Sequence, residues 1–319
     1  MNDISSRMSA MKALLPTLES ALKSFTSSDG KFKVIRTIIP SSNPSSIPSV
    51  STLQPPFNPR ALLILDSSYN PPSRAHLALA SSAVASLSPS SSARLLLLFS
   101  THNADKAPSP ASFSNRLAMM ILFAEDLQAH LSRSESTPAR VAVDIGLTKA
   151  PYYTDKSTAI ATEEPATYPS KPVHTHLLGY DTLVRFLAPK YYSKFDPPLS
   201  ALSPFFGAGH RLLVLLRPDS SSDNAVTGDS EDEQRGYISG LAHGSLQKDG
   251  FQRAWADQIG VLEGQDATDA LGISSTVIRK AAKQKDWGEV ERMCTPGVAA
   301  WLMEMDLYQG DGEGAKTTL

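Results

Sequence analysis

Apolar residues in this chain come in blocks with two distinct periods. From residue 60 onward, short and nearly continuous apolar runs occupy Ala61 to Leu65, Arg94 to Phe99, Val141 to Ile145, Val173 to Leu178 and Arg211 to Leu216. Between them lie stretches near His76 to Leu87, Phe113 to His130 and Asp181 to Leu187, where apolar residues recur at helical spacing. A strand that is apolar throughout has no face to give to water, so it belongs to a sheet covered on both sides. Alternation of such strands with helices predicts a doubly wound, mostly parallel α/β fold. A further strand is predicted around Gln258 to Leu262, then two or three C-terminal helices ending in Val298 to Leu307, with Pro296 at a helix start.

The first 57 residues follow a different pattern. Met11 to Phe25 places Leu14, Leu18, Leu22 and Phe25 on one face, which predicts a docked amphipathic helix. A strand is predicted at Phe32 to Ile39, and the Ser/Pro-rich stretch Pro40 to Pro59 reads as a linker. The expected organisation is an N-terminal extension and linker at 1–57, a main domain at 58–310 and a flexible tail at 311–319. Three interruptions poor in core residues fall at Leu131 to Arg140, Ala150 to Lys171 and Pro218 to Gly250. The last carries the run Asp229-Ser230-Glu231-Asp232-Glu233, so 218–250 is expected to be a disordered acidic surface insertion.

Composition narrows the classes of function. Thirty basic residues against thirty-two acidic give a net charge of −2, which provides no footprint for nucleic acid or an anionic membrane. No apolar run is long enough to span a bilayer, and the N-terminus lacks the pattern of a secretory leader, so a cytoplasmic or nuclear location is expected. The single cysteine, Cys294, excludes an intrachain disulfide and reads as an apolar filler beside Met293. His174 and His176 share a strand face but lack a third ligand, so no metal site is assigned. Gly207-Ala208-Gly209-His210 precedes a strand instead of following one, which is the wrong context for a dinucleotide loop.

Two short strings carry the candidate chemistry. Asp66-Ser67-Ser68-Tyr69-Asn70-Pro71-Pro72-Ser73-Arg74-Ala75-His76 runs from a strand end through a turn into a helix, and Ile273-Ser274-Ser275-Thr276-Val277-Ile278-Arg279 opens another helix. A helix start offers unpaired N–H groups and partial positive charge, so each is a place for a phosphate. His76, in the first helical turn, can add a hydrogen bond or a charge, and Arg279 lies one turn beyond Ser275, where its fork can reach phosphate oxygens. The plain alternatives are a Ser73 cap with an exposed histidine, and a serine cap with solvated hydroxyls.

At these residues the chain resembles the nucleotidylyltransferase superfamily, whose signatures are Gly-x-Phe-x-Pro followed by His/Thr-x-Gly-His, and Ile-Ser-Ser-Thr-x-Ile-Arg. The closest likeness is to a divergent fungal branch of the nicotinamide mononucleotide adenylyltransferases, over about Arg60 to Tyr308. The second signature is intact. The resemblance implies a Rossmann-like nucleotidylyltransferase fold and adenylyl transfer from ATP to nicotinamide mononucleotide, giving NAD and pyrophosphate, with Mg²⁺ carried by ATP. It assigns His76 and Arg279 to catalysis, and Ser67, Ser68, Tyr69, Ser73, Ser274, Ser275 and Thr276 to the ATP phosphates. Gly179 and Asp181, in Leu178-Gly179-Tyr180-Asp181, match the element that binds a nucleoside, and Arg217 in Leu216-Arg217-Pro218 matches an Arg-Pro strand end.

On the mononucleotide side the resemblance places Lys106, Arg116 and the aromatic pair Tyr152 and Tyr153. For these, surface charge and a half-buried loop anchor are the ordinary readings, and a helix N-cap explains Asp181 equally well. Ser67, Ser73 and Ala75 stand where the superfamily has glycine, histidine or threonine, and glycine. Those departures keep open a nucleotide-binding regulatory protein with impaired turnover. A cytidylyltransferase, or an adenylyltransferase with another acceptor, would use the same loops. The expected partners are therefore ATP and nicotinamide mononucleotide, with homo-oligomerisation left open.

Overall fold

A computed structural model describes residues 4–40, 49–51, 57–88, 91–101, 111–133, 141–216, 230–262 and 273–309. Within these, the strands β1 (Phe32–Ile39), β2 (Ser49–Ser51), β3 (Ala61–Asp66), β4 (Ala93–Ser100), β5 (Ala142–Thr148), β6 (Val173–Gly179), β7 (Arg211–Leu215) and β8 (Ile259–Val261) form one sheet. Its order is β2-β1-β5-β4-β3-β6-β7-β8. All pairs from β5 to β8 are parallel, whereas β1 is antiparallel to both β5 and β2.

The apolar runs are buried on both faces, as their patterning predicts. Leu63, Leu65, Leu95 and Leu97 face one core, and Leu62, Ile64, Leu96 and Leu98 face another. The first core is closed by α1 (Ile4–Ser27), α2 (Arg74–Ala85), α3 (Phe113–Arg133), α8 (Ser275–Lys283), α9 (Trp287–Met293) and α10 (Pro296–Glu304). On the opposite face lies α4 (Tyr153–Thr162). A third cluster joins β6 and β7 to α5 (Tyr180–Phe186), α6 (Ser203–Gly207) and α7 (Glu231–Ala242) through Phe205, Phe206, Leu241, Phe251 and Trp255.

The N-terminal helix and the strand at Phe32–Ile39 are found as the sequence predicts, whereas two later segments differ from expectation. The N-terminal residues are an integral layer of the domain: Leu18 and Phe25 of α1 are buried, and Arg7 pairs with Glu125 and Asp126 on α3, each at 2.9 Å. β1 is fastened through the fully buried Asp144, which accepts hydrogen bonds from Thr37 at 2.6 Å and Tyr168 at 2.8 Å and pairs with Arg94. Residues 153–162, within the stretch from Ala150 to Lys171 expected to be poor in core residues, form α4 with Ala159 and Ile160 buried. The part of the acidic stretch from residue 230 onward is ordered, because Glu231-Asp232-Glu233 is the first turn of α7 and complements its N-terminus. There Ser230 and Glu233 form a reciprocal capping box.

The strand order fixes where a ligand belongs. From β3 the chain moves to β4 and β5 on one side, then returns to build β6, β7 and β8 on the other. The direction reverses between β3 and β6, and in open parallel sheets the crevice beyond the carboxyl ends of such strands is the binding place. The first string begins where β3 ends, and Gly179 is the last residue of β6.

Candidate active site

Beyond β3 the Ser67 N–H still bonds to the Leu98 carbonyl at 3.2 Å, and then the chain leaves the sheet. Tyr69 has a φ of 45° and is wholly buried, with its hydroxyl on the Leu65 carbonyl. Burial pushes that phenol well above its ordinary pKa, and Asp66 nearby adds to the effect. Ser68 is half-buried beside it. α2 then begins at Arg74 with Ser73 as N-cap.

His76 is held from both sides. Its Nδ1 accepts from the Ser73 backbone N–H at 3.1 Å and lies 2.9 Å from the Ser73 hydroxyl, while Nε2 lies 2.9 Å from the Ser67 hydroxyl. Because Nδ1 accepts a main-chain N–H, the network assigns the ring proton to Nε2, which donates to Ser67. Tyr69 and Phe123 flank the ring, with centroids at 5.7 and 6.5 Å. Burial pulls the imidazole pKa down to about 4, so it is neutral at physiological pH. Of the two contributions expected from His76, the charge is therefore absent, and both ring nitrogens make their hydrogen bonds within the loop.

The second string docks onto the first. Ser274 caps α8, accepting from the Val277 N–H at 3.3 Å. Ser275 Oγ donates to the Pro71 carbonyl at 2.9 Å, and Arg279 donates to the Asn70 carbonyl at 2.8 Å and to Thr276 Oγ1 at 3.1 Å. The hydroxyls thus fasten one motif to the other. The N–H groups of Ser275 and Thr276, like those of Arg74 and Ala75 in α2, have no acceptor among the described residues. Two helix N-termini converge on one loop.

A second guanidinium stands close by. Arg116, buried on α3, donates through Nε to the Ala111 carbonyl at 3.1 Å and lies 5.1 Å from the Phe113 ring. Burial lowers its pKa to about 10, and repulsion from Arg279 acts in the same direction against a contribution from Tyr308. Neither Arg116 nor Arg279 has a carboxylate within salt-bridge distance among the described residues. Tyr308 completes the cluster with a 2.7 Å bond from its hydroxyl to Asn70 Oδ1.

Around β6, Gly179 is the N-cap of α5 and a side chain there would meet nothing within 4 Å, so the strand end is open. Asp181 is in the first turn of α5. The aromatic pair divides: Tyr153 packs against His176 and Phe186 at 5.2 and 6.0 Å, whereas Tyr152 is 47% exposed. Tyr152 lines a groove of about 540 Å³ together with Tyr191, Phe195, Phe205 and His210. His174 and His176 are buried and neutral in character, their pKa values lowered by burial, with Ser157 on His176 Nε2 at 2.8 Å. Lys106 and Arg217 lie outside the described residues.

Two features of the site escaped sequence reasoning. Lys156 on α4 forms a buried ion pair with Asp66, immediately before Ser67. Its only signal was a lysine within one turn of Tyr153, which patterning reads as surface charge. Asn70 and Tyr308 are joined across 238 residues, and neither has a local pattern that would have exposed the pairing.

No protein-family model matches the chain. A protein of Schizosaccharomyces pombe (strain 972 / ATCC 24843), described as a candidate nicotinamide mononucleotide adenylyltransferase, is 30% identical over 237 residues, spanning 74% of this chain and 81% of its own length. Two solved structures of the Plasmodium falciparum nicotinic acid mononucleotide adenylyltransferase, one complexed with NaAD and one with APC, align over 78% of this chain and 97% of theirs. Both are 13% identical, with TM-scores of 0.45 and 0.43.

Proposed function

Because the chain belongs to the nicotinamide mononucleotide adenylyltransferase family of nucleotidyltransferases, we propose that it transfers the adenylyl group of ATP to nicotinamide mononucleotide, giving NAD and pyrophosphate. A phosphate oxygen of the mononucleotide attacks the α-phosphorus of ATP, the bond from that phosphorus to the bridging α,β-oxygen breaks, and pyrophosphate leaves with the electron pair. No protein nucleophile is needed. The protein's task is to bring two polyanions together and to stabilise charge on the transferring and departing phosphates.

The observation that carries this reading is the docking of Ser275 and Arg279 onto the carbonyls of Pro71 and Asn70. It gathers two helix N-termini and Arg279 at the sheet's switch point, with Arg116 close enough to repel Arg279. Such an assembly is repulsive by itself and is relieved by a polyphosphate. We assign the β- and γ-phosphates to the first turn of α8 and Arg279, and the α-phosphate to the loop from Ser67 to Ser73 and the α2 N-terminus. The nucleoside is assigned to Gly179 and Asp181, and the mononucleotide to Arg116 and Tyr152. Mg²⁺ enters as part of the ATP substrate.

The test is direct measurement of NAD and pyrophosphate from Mg·ATP with nicotinamide mononucleotide, beside nicotinic acid mononucleotide and a CTP control. Equimolar NAD and pyrophosphate is the expected result. Product only with nicotinic acid mononucleotide would change the acceptor, product only with CTP would change the nucleotide, and ATP binding without turnover would overturn the enzymatic reading.

A further inference from the structure

Counting donors and acceptors at Ser67 shows an unused hydrogen. A serine hydroxyl has one donor and two acceptor positions. At Ser67 Oγ one acceptor position receives His76 Nε2–H at 2.9 Å and the other receives the Tyr69 backbone N–H at 3.4 Å. With both lone pairs occupied, the O–H must point away from His76 and from the loop. No acceptor for it exists among the described residues, although Ser67 sits at the carboxyl end of β3 and is only half-buried. The same count at His76 leaves nothing over: Nδ1 accepts from Ser73 and Nε2–H is spent on Ser67.

We infer that the Ser67 hydroxyl is the group of this loop that donates to a phosphate oxygen of the nucleotide, and that His76 is a positioning residue that aims it. The inference rests on the adenylyl-transfer reading and deepens it. Ser73 acts one step further back, since its N–H and hydroxyl hold His76 Nδ1 as an acceptor and so keep the proton on Nε2. Two positions that depart from the superfamily signature thus form a single relay, Ser73 to His76 to Ser67. A hydrogen bond from a hydroxyl to a charged oxygen is worth about tenfold or more in rate when it is made in the transition state.

A double-mutant cycle separates the two roles. The wild type, Ser67→Ala, His76→Ala and the double variant are compared in kcat/KM for Mg·ATP, with Kd for Mg·ATP from calorimetry and thermal midpoints recorded alongside. Each single substitution is expected to lower kcat/KM about tenfold or more, and the double variant to be no worse than Ser67→Ala, because His76 acts only through the hydroxyl. Ser67→Thr, which keeps the hydroxyl, is expected to recover most of the rate lost in Ser67→Ala. Nitrogen NMR of the ring should report the Nε2–H tautomer in the wild type.

Losses that multiply in the double variant, or a Ser67→Ala protein at wild-type rate, would place His76 itself on the phosphate and overturn the inference. So would an Nδ1–H tautomer. The parent reading fails in a different way: a wild type that binds Mg·ATP but makes no dinucleotide has the cycle read in Kd, where the same non-additivity is expected. A wild type that binds no ATP overturns both.

Discussion

Arg279 donates a 2.8 Å hydrogen bond to the main-chain carbonyl of Asn70, across 209 residues of sequence. The same Asn70 receives the Tyr308 hydroxyl on its side chain at 2.7 Å. One asparagine therefore ties the β3 loop to α8 and to the segment that follows α10.

Arg279→Ala removes both this tether and a cation at the polyphosphate position. A hydrogen bond to a charged group contributes about 1.5–3 kcal/mol, so kcat/KM for ATP is expected to fall by about tenfold to a hundredfold. Arg279→Lys keeps the charge but cannot form a fork, and is expected to recover only part of the loss. Initial rates of pyrophosphate release at fixed mononucleotide check both. A rate for Arg279→Ala within threefold of wild type would remove the assignment.

Arg116 is buried without a carboxylate partner among the described residues and is repelled by Arg279. A binding function predicts opposite effects on stability and activity. Arg116→Met, apolar and of similar length, is expected to leave the unfolding free energy unchanged or raised, because a desolvated charge is removed. The same variant is expected to raise KM for the mononucleotide about tenfold or more. If Arg116 were a structural residue, Arg116→Met would lower the urea midpoint and leave KM unchanged.

The sheet was legible in the sequence because short, mainly apolar and mostly buried runs mark its strands: β3, β4, β6 and β7 are found within a residue or two of their predicted limits. α1 was legible for the same reason, since Leu18 and Phe25 repeat on one face. α4 was not, because only Ala159 and Ile160 of its apolar residues are buried and its other buried positions are Lys156 and Ser157. A helix that buries polar groups leaves no periodic trace. The attachment of β1 depends on Asp144 meeting Thr37, Arg94 and Tyr168 from three other parts of the chain, a relation that no local window contains. At the site, both loops were legible as helix starts. The docking of α8 on Asn70 and Pro71 is a tertiary fact, and the clamping of His76 by Ser67 and Ser73 is local but rests on side-chain geometry that apolar patterning does not carry.

Three imidazoles with lowered pKa values weaken the fold in acid. His76 and His174 have pKa values lowered to about 4 and about 3, and His176 lies well below the ordinary value, all chiefly through burial. In the unfolded chain each titrates near 6.5. As pH falls below about 6.5 the unfolded state takes up protons that the folded state refuses, so stability declines, and the decline continues until the folded-state values of about 3 to 4 are passed. Urea midpoints are expected to be lower at pH 5 than at pH 7.5. Over pH 5.5–8.5, kcat/KM should show no inflection from His76. An inflection near 6.5 that disappears in His76→Asn would mean that the ring is solvated.

Lys156 and Asp66 are both nearly excluded from solvent, and they join α4 to the last residue of β3. Removing one member leaves a buried charge without its partner, which costs about 3–5 kcal/mol, more than the pair itself contributes. Lys156→Met is therefore expected to destabilise strongly by urea unfolding. Adding Asp66→Asn should return a large part of that loss, because the remaining group is then neutral and can still hydrogen-bond. The stabilities of the two single variants and the double variant give the coupling directly. Asp66 immediately precedes Ser67, so the pair also fixes where the loop leaves the sheet. If it does so, the double variant should regain stability without regaining kcat/KM. Recovery of both together would show that the ion pair holds the fold without aiming the loop.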